Sequence, residues 1–186
     1  HPGAGGPDRR KWYALAVVIV VGLFNYIDRL SMSILQVPIR AELGLSDSQI
    51  GVLTGLAFSL VYTVLTIPIA RLADRVPRRY VIAGALATWS TMTALCGFAS
   101  GFLVLAVFRM GVAIGEAGCV PATHATISDH FPPHQRGMAM STYSLVLPVG
   151  TLLGFMSSGW LAGEFGWRRT FVVLGILGLL LVPVVL

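Results

Sequence analysis

The sequence predicts an all-α integral membrane protein, a bundle of six transmembrane helices, on three observations. Of 186 residues, 55% are hydrophobic and 11% charged, against about 25% charged in soluble domains. Mean hydropathy is +0.79. Apolar runs of roughly 20 residues, the length that crosses a bilayer core, alternate with short polar loops. In such a chain a net charge of +5 reports orientation and gives no reason to invoke nucleic acid.

Taken in order, residues 1–11 read as a disordered cytoplasmic tail, because His1 to Pro7 is rich in Gly and Pro and Asp8-Arg9-Arg10-Lys11 flanks the first apolar run. Residues 12–186 form the six-helix domain. Span one is expected over Trp12 to Ile39, with Ser46 or Asp47 capping the next helix. Span two covers Gln49 to Ile69, and a basic loop from Arg71 to Arg79 leads to span three, Tyr80 to Phe98. The turn Ala99-Ser100-Gly101 leads to span four, Phe102 to Thr123. Span five, Gly137 to Leu161, carries Pro148 as a possible kink, and span six begins near Thr170.

Sorting basic residues by loop orients the chain. Arg9, Arg10, Lys11, Arg71, Arg75, Arg78, Arg79 and Arg136 gather on one side, and Arg40, Arg168 and Arg169 on the other. This bias places the N-terminus in the cytoplasm of a multi-pass protein of a bacterial inner or plasma membrane.

The residues left over are the informative ones. Asp28 and Arg29 fall within span one, and Arg109 and Glu116 within span four. Each ionised group at bilayer depth costs roughly 2.5–3.5 kcal/mol on insertion scales, so all four must pair, hold protons or share a polar cavity. Adjacent residues on a helix point about 100° apart, which sends Asp28 and Arg29 to different partners. Arg109 and Glu116, seven residues apart, share one helix face. A buried carboxylate can load and release a proton, which makes Asp28 the expected proton carrier with Glu116 assisting. Arg29 and Arg109 offer guanidinium forks to an anionic group.

Gly51/Gly55, Gly97/Gly101, Gly111/Gly115 and Gly150/Gly154 stand four apart, a spacing that lets helices approach closely in lipid. Cys96 and Cys119 read as buried hydrophobes. His130 and His134 flank Pro132-Pro133, which breaks the helical spacing a metal site would use, so no metal is expected. No Gly-rich phosphate loop ending in Lys-Ser/Thr is present, so no ATPase motor and no cofactor is expected. Asp74 stands among the loop arginines and can latch helices at the cytoplasmic side.

These residues carry a family resemblance. The loop from Ala70 through Asp74-Arg75 to Arg78-Arg79 resembles the major facilitator superfamily pattern between helices two and three, with Ala70 and Pro77 where that pattern has glycines. Arg109 with Gly115 and the run Gly166 to Phe171 are similar to its helix-four and helix-six patterns. The helix-five antiporter pattern is partial, with Pro148 and Gly150 only. Asn25-Tyr26-Ile27-Asp28-Arg29, Gly115-Glu116-Ala117 and Asp129-His130-Phe131 resemble the Spinster family. That resemblance implies the N-terminal half of a transporter of amphipathic lipids, such as sphingosine-1-phosphate or lysophospholipids, working by rocker-switch alternating access and needing a C-terminal half. It implies that Asp28, Arg29, Arg109 and Glu116 line the central cavity, that Asn25 and Tyr26 join them in binding substrate, and that Asp74, Arg75, Arg78 and Arg136 form a cytoplasmic gate. The alternative cargo is a small organic anion, a sugar acid or a drug. Two other classes are weighed: an intramembrane hydrolase using Asp28 and Glu116 as acid and base, and a non-transporting receptor or scaffold. The reading preferred is a proton-coupled transporter and no enzyme.

Overall fold

The computed structural model describes residues 6–73 and 75–186. Helix α1, Gly6–Leu43, has 38 residues and extends about 57 Å at 1.5 Å per residue, well beyond the ~30 Å hydrocarbon core. It begins earlier than the sequence suggests. Residues 6–11, expected in an unstructured tail, form its first turns, because Arg and Lys are good helix formers and Lys11 finds tertiary partners. Its Nζ donates to Gln135 Oε1 at 3.0 Å and stands 6.0 Å from the Phe131 ring centre.

The far end of α1 stops on Gly44, whose φ of 63° is the left-handed conformation that closes helices. The Leu45 N–H then reaches back to Arg40 O at 3.1 Å. Ser46 caps α2 (Asp47–Gly51) through a reciprocal bond with Gln49, as the sequence suggests. The chain next widens into a π-helical segment, Val52–Leu56, before α3, Ala57–Ala73. After Pro77 come α4 (Arg78–Cys96) and, past a tight turn, α5 (Phe102–Ala117) and α6 (Cys119–His130). Helices α7 (Pro133–Ser144) and α8 (Val146–Val185) complete the chain.

Both internal breaks have the same cause. Proline cannot donate to the carbonyl four residues earlier, and Pro121 and Pro148 stand four residues after Ala117 and Ser144, where α5 and α7 end. Within α8 the backbone turns at Gly166, with φ 76° and ψ 166°, and the helix folds back on itself. Its first arm runs parallel to α1, with Gly150 against Tyr26 and Gly154 against Leu30. The second arm returns, from Trp167 beside Glu42 to Val184, whose carbonyl accepts from Tyr13 Oη at 3.1 Å.

Among the described residues, four stretches, Arg9–Leu43, Asp47–Arg71, Phe102–His130 and Pro133–Val185, are long and apolar enough to cross a membrane. The last supplies two crossings because of the Gly166 turn. Helix α4 joins the two ends of the bundle, packed against α5 and α8, and carries more hydroxyls, among them Ser90 and Thr93, than its neighbours.

Two apolar clusters form the core. One, at the end where the arginines gather, contains Leu15, Val18, Trp89 and Val112. The other, toward the opposite end, contains Met32, Leu35, Cys96 and Leu105. That opposite end is clamped by Glu42, which accepts from Trp167 Nε1 at 2.6 Å and Arg168 Nε at 2.8 Å. Arg168 Nη1 reaches on to the carbonyls of Gly97 and Ala99 at 3.2 and 2.7 Å.

The four-apart glycines divide into two kinds. A Cβ on Gly150 would lie 2.7 Å from Tyr26 Cβ, and one on Gly115 only 2.5 Å from the Trp89 backbone nitrogen. Gly51 and Gly55 have nothing within 4 Å, so that pair packs no helix within this bundle. Gly150→Ala is therefore expected to lower stability by about 1–3 kcal/mol through overpacking. Gly159→Ala, on the same helix with open space around it, is expected to be neutral or slightly stabilising; thermal melting of the purified full-length protein compares the two.

Candidate functional site

Between the two apolar clusters lies a polar layer. On α1 it falls between Val21 and Met32 and comprises Asn25, Asp28 and Ser31; on α4 it is Ser90 and Thr93; on α5, Arg109. Glu116 continues it two turns along α5. Asp28 is 2% exposed, Arg109 2% and Glu116 1%, so the solvent available to screen them is minimal.

Asp28 and Arg29 point apart, as neighbours on a helix must. Asp28 turns to α4, where its Oδ2 accepts from Thr93 Oγ1 at 2.8 Å. Arg29 turns away toward α3, its Cζ resting 4.9 Å from the Phe58 ring centre and 5.3 Å from that of Tyr62. Arg109 comes to the same ring from α5, with Cζ 5.4 Å from the Phe58 centre. One aromatic side chain thus serves two guanidinium groups, an arrangement stabilised by the ring quadrupole where water is scarce.

Asp28 feels Arg109 through space, without a direct ion pair among the described residues. Glu116 feels Asp28, Arg109 and Arg29 and lies beside the Asn25 amide. Neither Glu116 oxygen, nor Nε or Nη1 of Arg109, nor Nδ2 of Asn25 meets hydrogen-bonding geometry with a described residue. Buried donors and acceptors left in this condition cost about 1–3 kcal/mol each, more when charged.

A cavity of about 330 Å³ opens onto this layer. Its polar wall includes Arg29, Arg109, Thr54 and Thr151, and its apolar wall includes Phe58 and Leu147. Tyr26 also lines it. The expected substrate residues Arg29, Arg109 and Tyr26 are thus brought to one cavity, while Asn25, Asp28 and Glu116 lie buried behind it.

Sequence reasoning missed Thr93, Phe58, Tyr62, Thr54 and Thr151. A hydroxyl in the middle of span three was a usable signal for Thr93. Thr54 owes its position to the π-helical segment, a local widening frequent at functional sites and without a sequence mark of its own; its hydroxyl bonds Ile50 O at 2.9 Å.

The expected gate is divided. Asp74 lies outside the described residues. Arg75 is exposed in the turn after α3. Arg78 Nε approaches Asp129 Oδ2 at 3.6 Å, linking α4 to α6. Arg136 donates from Nε to Phe131 O at 3.0 Å and so closes the α6–α7 turn.

The family model described as Major Facilitator Superfamily matches residues 15–186. An MFS-type efflux pump of Mycolicibacterium smegmatis is 42% identical over 186 residues, 100% of this chain and 43% of the relative. A probable L-galactonate transporter of Escherichia coli is 32% identical over 168 residues, covering 90% of this chain and 37% of the relative. Among solved structures, a bacterial homolog of the human lysosomal transporter Spinster, inward-facing and occupied, superposes with a TM-score of 0.88 at 36% identity. That match covers 93% of this chain and 43% of the other. The chain therefore spans less than half the length of these relatives.

Thr93→Val removes the direct donor to Asp28 and is expected to destabilise the full-length protein by about 1.5–3 kcal/mol, the range for a hydrogen bond to a charged group. Thr93→Ser keeps the hydroxyl and is expected to restore most of that loss, as read by thermal melting.

Proposed function

The chain belongs to the major facilitator superfamily, and from that membership we propose that the full-length protein carries an amphipathic anion together with protons by rocker-switch alternating access. The cargo class is a lipid of the lysophospholipid or sphingosine-1-phosphate kind. The observation that carries this reading is the seating of Arg29. Its guanidinium faces the cavity from a platform of Phe58 and Tyr62, next to the apolar wall of Leu30, Met32 and Leu147. A phosphate matches the fork of donors, and an alkyl chain matches the wall.

Arg29 and Arg109 bind the headgroup, with Tyr26 and Asn25 beside them. Asp28 and Glu116 hold the coupling proton. The sign of coupling follows from electrostatics. Carboxylates and cargo anion compete for the same two guanidinium groups, so neutralising a carboxylate frees positive charge for the cargo, and bound cargo in turn favours a protonated carboxyl. Linkage makes this effect reciprocal. Proton and anion therefore travel together. The N-terminus is cytoplasmic, on the positive-inside bias, in a bacterial inner or plasma membrane.

Relatives more than twice as long as this chain support a second helical half closing the cavity over α3 and the first arm of α8. Leu56 at the end of the π-helical segment, Leu60 and Val64 on α3, and Leu152 and Met156 on α8 are exposed there. Arg75, Arg78 and Arg136, with Asp74, form the cytoplasmic gate between the halves.

A second reading, a small sugar acid as cargo, is favoured by the likeness to the probable L-galactonate transporter. The two readings separate by experiment. In proteoliposomes with an acidic exterior, the full-length protein is expected to accumulate a fluorescent lysophosphatidic acid analogue, and Asp28→Asn to abolish the gradient dependence. Galactonate uptake without lysolipid uptake would select the second reading. Lysolipid flux that ignores the gradient in both proteins would remove the proton role of Asp28.

A further inference from the structure

Away from the polar layer, a cavity of about 690 Å³ lies at the arginine-rich end of the bundle, where α1, α4, α6 and the end of α8 converge. Its rim holds Arg9, Arg10, Arg78 and Arg79, and its floor includes the apolar Val17 and Ile82. It shares no lining residue with the central cavity. A second, narrower space of about 210 Å³ runs on from it between α1 and the second arm of α8, walled by Ala16, Val20 and Leu181 among others. Tyr13, Val17 and Val185 line both, so the two form one groove: cationic at the surface, apolar toward the bilayer interior.

We propose that this groove binds an anionic phospholipid, with its phosphate headgroup among the four arginines and one acyl chain in the trough between α1 and α8. Two features of the groove carry the proposal. The first is charge complementarity. Arg9 and Arg10 are exposed on consecutive positions of α1, and the Arg79 guanidinium is held over the Tyr80 ring at 4.7 Å with a bond to the Tyr80 hydroxyl at 3.0 Å. Next to the rim, Asp129 Oδ2 lies 3.6 Å from Arg78 Nε. The guanidinium fork matches a phosphodiester, and basic pockets between transmembrane helices on the cytoplasmic side suit anionic headgroups.

The second feature is depth. A free anion would use the rim alone, whereas the trough continues along α1 past Val20, away from the surface. Such a shape offers nothing to inorganic phosphate. It offers a methylene chain contact on both sides, and a lipid seated there would tie the end of α8 to α1, supplementing the bond from Tyr13 to the Val184 carbonyl. The proposal uses no residue of the central cavity, and of the proposed gate it shares Arg78 alone.

Native mass spectrometry of the full-length protein, supplied with phosphatidylglycerol or phosphatidylcholine of identical chains, tests it. Selective retention of phosphatidylglycerol is expected, weakened about 30-fold in Arg10→Gln/Arg79→Gln, taking ~1 kcal/mol for each arginine near the surface. Ala16→Trp, which fills the trough and leaves every charge, is also expected to reduce retention, and decides the matter if the double variant fails to fold. Asp28→Asn is expected to retain the lipid as the wild type does. Equal retention of both lipids, retention unaffected by Ala16→Trp, or loss in Asp28→Asn alone would overturn the proposal. Full competition by glycerol phosphate, which has no chains, would overturn it too and mark the rim as a simple anion site.

Discussion

The fold depends on burying Asp28, Arg109 and Glu116 in a layer between two apolar clusters. On insertion scales each ionised group at that depth costs roughly 2.5–3.5 kcal/mol, and the layer offsets this with few direct contacts: the Thr93 hydroxyl on Asp28 and the face of Phe58 for Arg29 and Arg109. Arg109 stands within electrostatic reach of both carboxylates. A closed salt-bridge network would hold the helices more firmly and would also fix every proton. Among the described residues, Glu116 and Arg109 instead remain incompletely hydrogen-bonded.

Around this layer the bundle is braced at both ends. At one end, Glu42, Trp167 and Arg168 tie α1 to the α4–α5 turn and to the Gly166 turn. At the other, Lys11 meets Gln135 and Arg78 meets Asp129. Both braces lie within this chain, so the bundle is tied at each end by its own residues. Two of the features that deform α-helices border the cavity. The π-helical segment carries Thr54, and the break before Pro148 is followed at once by the cavity residues Leu147 and Thr151.

Much of this was legible in the sequence, for identifiable reasons. Apolar runs located the crossings, since hydropathy acts over some 20 residues and tolerates errors at helix ends. Helical geometry required Asp28 and Arg29 to diverge, and they do. Ser46 announced its cap. What escaped depends on neighbours distant in sequence. Phe58 and Tyr62 resemble any aromatic residues in a span until α1 and α5 bring guanidinium groups to them. Thr93 is one hydroxyl among several on α4, selected only by the face it turns to Asp28. The helical state of residues 6–11 escaped because composition favoured a tail, whereas contacts with Phe131 and Gln135 extend the helix. Gly51 and Gly55 had the spacing of a packing motif with no helix against them here, which spacing cannot distinguish.

The central claim is that the cargo anion and the proton are linked through the same buried layer. Calorimetric titration of the full-length protein with lysophosphatidic acid, repeated in buffers of different ionisation enthalpy, counts protons taken up on binding. The account predicts net proton uptake in the wild type that disappears in Asp28→Asn while binding itself persists. Binding with no proton exchange, or with the same exchange in both proteins, would contradict it.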